Sequence, residues 1–69
     1  MVSTTGVNGF AVEMHEDAAG CRVAIVDPDG AIVAERACRD QTEARTYAST
    51  VRQHIYWLSP ERFRAYYRL

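Results

Sequence analysis

The sequence contains no lysine, few cysteines and no long apolar run. All eight basic residues are arginine, and nine acidic residues bring the net charge to −1. The absence of lysine reflects either codon bias in a GC-rich genome or selection for the planar, bidentate contacts of guanidinium groups. No apolar run is long enough to span a membrane, and residues 1–9 lack the basic start and apolar stretch of an export signal. We therefore expect a cytoplasmic protein whose two cysteines are reduced and buried rather than bridged.

Motifs for catalysis, cofactor binding and metal binding are also lacking. Neither His15 nor His54 has a cysteine or carboxylate at metal-ligand spacing, and we expect both to be surface histidines. No glycine-rich phosphate loop is present. The segment 27–30 is similar to the start of a calcium loop, but Cys38 stands where such a loop needs glutamate. A domain of this size also has little room for a pocket of about 300 Å³, the lower end for ligand sites. We predict that the protein is not an enzyme and uses no cofactor or metal.

One long, strongly periodic segment runs from Asp40 to Leu58. Its apolar residues recur at the spacing of one helical face, which predicts an amphipathic helix. The stripe consists of Ala44, Tyr47, Ala48, Val51, Ile55 and Leu58. Asp40 is placed to cap the helix, and Glu43 can reach back to the same turn. Ser59 and Pro60 end this helix and begin a second one, Pro60–Leu69.

Three segments before the helix have the pattern of strands. They are Phe10–Glu16, Cys21–Val26 and Ala31–Cys38, separated by turns at 17–20 and at the Asp-Pro-Asp-Gly segment 27–30. The predicted fold is α+β, a three-stranded antiparallel meander with one long helix packed on one face and a short C-terminal helix, in the order β-β-β-α-α. Residues 1–8 are expected to be disordered, and residues 9–69 to form a single small domain.

The predicted register gives the sheet two different faces. Pairing Glu16 with Cys21 and Asp27 with Gly30 assigns one face to the core beneath the helix. These core residues are Phe10, Val12, Met14, Cys21, Val23, Ile25, Ile32, Ala34 and Cys38. The centre of the opposite face consists of Ala24, Val26, Ala31 and Val33. It is either exposed, covered by the N-terminal segment or second helix, or used by a partner or a second copy beside an open sheet edge.

The C-terminal end is basic and aromatic, whereas the rest of the chain is acidic. Residues 52–69 carry four of the eight arginines and one acid, and five of the seven aromatic residues lie between Tyr56 and Tyr67. Tyrosine, tryptophan and arginine are enriched at protein-interface hot spots, and the same types stack on bases and contact phosphates. The predicted partner-binding residues are Arg52, Tyr56, Trp57, Arg62, Arg64, Tyr67 and Arg68. The structural alternative is a small core between the helices, with Trp57 covered by the second helix.

In its size, single domain and lack of catalytic motifs, the chain resembles the small stand-alone α+β proteins that phages and mobile elements encode, anti-CRISPR inhibitors among them. The resemblance implies that the protein acts by occupying a surface of a larger complex. Our favoured hypothesis is a non-enzymatic protein-binding module, in one version an inhibitor. The alternatives are a small nucleic-acid-binding regulator that uses the arginine and aromatic C-terminal end, and an obligate homodimer. No membrane association is expected.

Overall fold

The chain forms an antiparallel sheet with a long helix across one face. The computed structural model describes residues 4–5, 8–18 and 20–69. In chain order its elements are β1 (Thr4–Thr5), β2 (Ala11–Asp17), β3 (Gly20–Val26), β4 (Ile32–Cys38), α1 (Gln41–Trp57) and α2 (Pro60–Tyr67). The strands lie in the order β1-β2-β3-β4, and each is antiparallel to its neighbour. The predicted α+β fold is confirmed, with β2, β3 and β4 as the meander.

The register agrees with the prediction between β2 and β3 and differs between β3 and β4. Glu16 pairs with Cys21 as predicted. Between β3 and β4 the pairing shifts at Ile25 and Val26, and Val26 lies opposite Ile32. The difference arises in the turn between these strands.

The turn is one residue longer than predicted, because the Asp27 amide donates its hydrogen bond to Ala31 rather than to Gly30. The Oδ1 atom of Asp27 accepts hydrogen bonds from the backbone amides of Asp29 and Ala31, at 3.0 and 2.9 Å, and its own amide donates to the carbonyl of Ala31 at 2.9 Å. Gly30 has a φ of 89°, as a three-residue hairpin loop requires. The predicted pairing of Asp27 with Gly30 is therefore wrong. So is the core position of Ile32, which is 53% exposed.

Helix α1 buries the predicted stripe against the sheet. Its innermost residues, Ala44, Ala48, Val51 and Ile55, are at most 1% exposed. They pack with Phe10, Val12, Val23 and Ile25 of the sheet side, and the helix lies mainly over β2 and β3. The predicted cap is present, since Asp40 Oδ1 accepts from the amide of Glu43 at 2.9 Å, and Glu43 Oε1 accepts from the amide of Arg39 at 2.8 Å.

Helix α2 contributes one buried side chain, Phe63, to the core, and Tyr67 packs against it. Ser59 caps it by accepting a hydrogen bond from the amide of Arg62 at 3.3 Å. Phe63 is fully buried, and its ring centroid lies 4.6 Å from that of Phe10 and 4.8 Å from that of Tyr67. The short C-terminal helix is therefore part of the same core as α1.

Part of the N-terminal segment, for which disorder was predicted, lies beside β2. Thr4 and Thr5 form β1, paired with Val12 and Ala11 of β2, and Asn8 is buried at 9% exposure. Residues 1–3, 6 and 7, to which the prediction also applied, lie outside the described residues.

The Asn8 side chain joins the start of the fold to the end of α1. Its Nδ2 atom donates a hydrogen bond to the carbonyl of Leu58 at 3.3 Å, and its Oδ1 atom accepts one from the buried amide of Phe10 at 3.0 Å. Gly9 follows with a φ of 88°, and a Cβ atom there would lie 3.1 Å from Pro28 Cγ. Glycine therefore suits this position in both its backbone conformation and its size.

Candidate interaction surface

The last turn of α1 exposes two large aromatic side chains. Tyr56 is 61% exposed and Trp57 is 72% exposed. Both lie off the buried stripe of α1, and α2 turns away without enclosing either of them. The expectation that α2 covers Trp57 is therefore wrong. An indole that remains this exposed is unusual among the bulky side chains of a folded domain.

Three arginines are close in sequence to these aromatic residues. Arg52 precedes Tyr56 by four residues and therefore lies on the same side of α1. Arg62 is exposed in the first turn of α2, and Arg68 is exposed at the residue that caps the C-terminal end of α2. Within the described part of the chain, neither these three arginines nor Arg64 forms an ion pair with an acidic side chain. Their charges are thus available to a partner.

Two of the seven predicted partner-binding residues have contacts within the chain. Tyr67 is half-buried, and its hydroxyl lies 2.6 Å from His54 Nδ1. Partial burial, followed by the neighbouring Tyr47 and Tyr66, raises the pKa of Tyr67 to about 12. The Arg64 guanidinium lies over the Phe10 ring, with Cζ 5.0 Å from the centroid. These contacts hold α2 against the rest of the fold, whatever Arg64 and Tyr67 also bind.

Sequence reasoning missed the parts played by His54 and Tyr66. His54 was predicted as a surface histidine, yet it is half-buried, with its ring 4.5 Å from that of Tyr66 and 5.7 Å from that of Tyr67. Tyr66 is 61% exposed and extends the aromatic surface onto α2. The helical spacing from Phe63 allowed either Tyr66 or Tyr67 to point inward, so no signal in the sequence separated them.

The opposite face of the sheet is less open than the sequence suggested. Ala24 is fully buried, Val26 is 9% exposed and Ala31 is exposed. Val33 is half-buried and packs against the hydrophobic core cluster beneath α1, and Ile32 is the register partner of Val26. The premise of an uncovered apolar centre therefore does not hold at Ala24 and Val26. Use of this face by a partner or a second copy stays a prediction.

Charged side chains surround Ala24 on that face. Glu13 and Glu35 are its register partners on β2 and β4. Arg22 contacts Glu35 at 3.6 Å and Asp17 at 3.2 Å, while Glu13 contacts His15 at 3.0 Å. This face is thus more polar than its alanine and valine centre indicates.

An open groove of about 470 Å³ lies between β4 and the first turns of α1. Its lining residues are Arg36, Arg39, Asp40, Thr42, Glu43, Thr46, Tyr47 and Thr50. A domain of this size was expected to have little room for such a depression. Its polar groups are largely engaged within the chain. The Arg36 guanidinium lies 4.7 Å from the Tyr47 centroid, and Arg39 pairs with Glu43 at 3.5 Å. No histidine or cysteine is among its lining residues.

Neither a metal site nor a membrane span is found in the described ranges. No three His, Cys, Asp or Glu side chains there lie close enough to hold a metal ion, and neither α1 nor α2 has the length and apolar character to cross a bilayer. Comparison with protein-family models, curated proteins and solved structures finds no match to the chain.

Proposed function

We propose that the protein is a small non-enzymatic protein-binding module that acts by occupying a surface of a larger protein complex. We call its contact region the C-terminal surface, which consists of Arg52, Tyr56, Trp57, Arg62, Tyr66 and Arg68. The observation that carries the proposal is the 72% exposure of Trp57, in a segment whose arginines form no ion pair within the described residues.

Burial of Trp57 by a partner would remove a large apolar area from water. A buried tryptophan removes about 150–250 Å² from water, which at about 25 cal/mol per Å² is worth roughly 4–6 kcal/mol before ordering costs are subtracted. Trp57 already exposes most of its side chain, so most of that gain is still available to a partner. Arginines at the rim add planar, bidentate contacts to carboxylates.

In the inhibitor version of the proposal, binding is itself the activity. A module without a reaction of its own acts by excluding another molecule from the surface that it covers. The resemblance in size, single domain and lack of catalytic motifs to small phage and mobile-element inhibitors, anti-CRISPR proteins among them, suggests this version. A cytoplasmic location is part of the proposal because the sequence lacks an export signal at residues 1–9. The partner would then present an acidic or polar rim around an apolar depression that accepts the indole.

A nucleic-acid regulator is the second candidate, since the same arginines adjoin exposed rings that could stack on bases. The net charge of −1 weighs against it, because phosphate binding usually draws on a larger positive surface. The two candidates differ in their response to salt and nuclease.

The first experiment is a pull-down with the tagged chain from a lysate of the organism that encodes it. Parallel lanes contain nuclease or none, and mass spectrometry identifies what is recovered. The protein-binding proposal expects a partner that is recovered equally in both lanes. Recovery only without nuclease would instead favour the nucleic-acid candidate.

Variants then test the surface itself. Trp57→Ala should weaken binding to the identified partner by about 30-fold or more, as expected for a hot-spot residue. Ile32→Ala is the matched control, because Ile32 is also a large exposed apolar residue, at 53%, but lies on β4. Equal affinity of the folded Trp57→Ala variant and the wild type would reject the C-terminal surface.

Light scattering tests the homodimer version. Under that version the chain is dimeric at tens of micromolar, and a variant that loses dimerisation identifies the face that mediates it. A monomer at this concentration would exclude an obligate dimer, and the partner of the C-terminal surface would then be a different protein.

A further inference from the structure

Cys21 and Cys38 face each other across β3 and β4. They occupy directly opposite positions in this antiparallel pair, and both thiols are free. Directly opposite residues point to the same face, with Cα atoms about 4.5–5.5 Å apart. A disulfide joins Cα atoms that are about 4.4–6.8 Å apart. The register therefore places the two cysteines at bridging distance.

We propose that Cys21 and Cys38 form a cross-strand disulfide when the folded protein meets a disulfide oxidant such as oxidised glutathione. The pair is then a redox modification site that ties β4 to the centre of the sheet. This inference does not depend on the proposed function, because it uses neither the C-terminal surface nor a partner.

Only small side-chain movements separate the thiol form from the bridged form. Cys21 Sγ lies 3.5 Å from Glu16 Oε2, and Cys38 Sγ lies 3.8 Å from the carbonyl oxygen of Arg36. Both are weak contacts of a thiol, and rotation between staggered side-chain conformations can replace them. Cys38 is the last residue of β4, so the backbone can adjust there with little effect on the rest of the ladder.

The exposure of the two thiols sets the order of the reaction. Cys21 is half-buried, whereas Cys38 is only 8% exposed, so the oxidant reaches Cys21 first. The Cys21 thiolate attacks one sulfur of oxidised glutathione, forms a mixed disulfide and releases one reduced glutathione. The Cys38 thiolate then attacks Cys21 Sγ and releases the second. Two protein thiols are oxidised, one glutathione disulfide is reduced to two thiols, and the two protein protons pass to the released thiolates.

The pKa of the Cys21 thiol is raised, so little of it is thiolate at neutral pH and the modification is slow there. Partial burial raises the pKa of Cys21, and Glu16, Cys38 and Asp40 act in the same direction. Because the thiolate is the attacking species, the reaction should accelerate as the pH rises. The site therefore responds to sustained oxidising conditions rather than to brief exposure.

The test uses the full chain in buffers of fixed reduced and oxidised glutathione. Samples are quenched with acid and alkylated, and the bridge is located by peptide mapping. The equilibrium constant for bridging is measured in the folded chain and in urea. A bridge that closes a loop of about 15 residues stabilises the fold by about a hundredfold in the unfolding equilibrium, so by linkage the folded chain should bridge about a hundredfold more readily than the unfolded chain.

Single variants provide the control. Cys38→Ser, verified as folded by circular dichroism, should form a mixed disulfide with glutathione at Cys21. Cys21→Ser, verified in the same way, should react much more slowly because its remaining thiol, Cys38, is only 8% exposed. Neither variant can form the intramolecular bridge. A ratio of folded to unfolded constants above about tenfold supports the proposal. A smaller ratio, or folded wild-type protein in which glutathione adducts or intermolecular links replace the bridge, overturns it.

Discussion

Replacement of Asn8 by alanine should destabilise the fold far more than its position near the start of the chain suggests. The substitution removes both hydrogen bonds of the Asn8 amide, to the Leu58 carbonyl and from the Phe10 amide. The Phe10 amide is buried, and leaving a buried backbone group unpaired costs about 1–3 kcal/mol. The Leu58 carbonyl is only partly buried and can regain water. We therefore expect a loss of about 2 kcal/mol in the free energy of unfolding.

Urea denaturation monitored by circular dichroism measures this loss. For a small domain the slope of the unfolding free energy is at least about 1 kcal/mol per M, so the midpoint should fall by up to about 2 M. Asn8→Asp separates the two bonds, because it keeps the acceptor for the Phe10 amide and loses the donor to Leu58. Gln53→Ala, an exposed change on α1, should have an effect within about 0.5 kcal/mol.

A change no larger at Asn8 than at Gln53 would refute the reasoning. It would mean that the amide of Phe10 and the carbonyl of Leu58 find other partners when the Asn8 side chain is removed. The Asn8 hydrogen bonds would then contribute nothing measurable to the free energy of unfolding.

Two titratable groups give further predictions. The folded-state pKa of Tyr67, about 12, is above its ordinary value of 10. The folded chain therefore keeps this proton when the unfolded chain loses it, and the stabilisation present below pH 10 should decline between pH 10 and 12. Urea titrations should show a smaller decline in Tyr67→Phe, and equal declines would contradict the assignment. Glu16→Gln should lower the pKa of Cys21 and speed its alkylation by iodoacetamide at pH 8 in a Cys38→Ser background, whereas Glu61→Gln should leave the rate unchanged.

The helical part of the fold could be predicted because its signals are local. The stripe of α1 follows from the 3.6-residue period, and its cap from a carboxylate at Asp40 three residues before Glu43. The length of the turn between β3 and β4 could not be predicted from the sequence. A two-residue and a three-residue loop both suit the segment 27–30, and the choice between them decides whether Ile32 points into the core.

The candidate site depends on long-range geometry that spacing does not encode. Whether α2 covers Trp57 is decided by the angle between the helices, and this angle follows from the packing of Phe63 on Phe10 and from the contact between His54 and Tyr67. The Asn8 contacts were unforeseen for the same reason, since Asn8 and Leu58 are 50 residues apart in the chain. Polar contacts of this kind leave no periodic trace in a sequence.

The composition of β4 has a consequence for the behaviour of the protein at high concentration. It is the last strand in the order of the described sheet, so its outer backbone groups are open to another strand, and Ile32 adds exposed apolar surface beside them. Glu35 and Arg36, both exposed, stand in the middle of this strand and oppose flat stacking of one sheet edge on another. We expect these two charges to oppose fibrillar aggregation, Glu35 from the face of the sheet that it shares with Ala24 and Arg36 from the face that it shares with Val23.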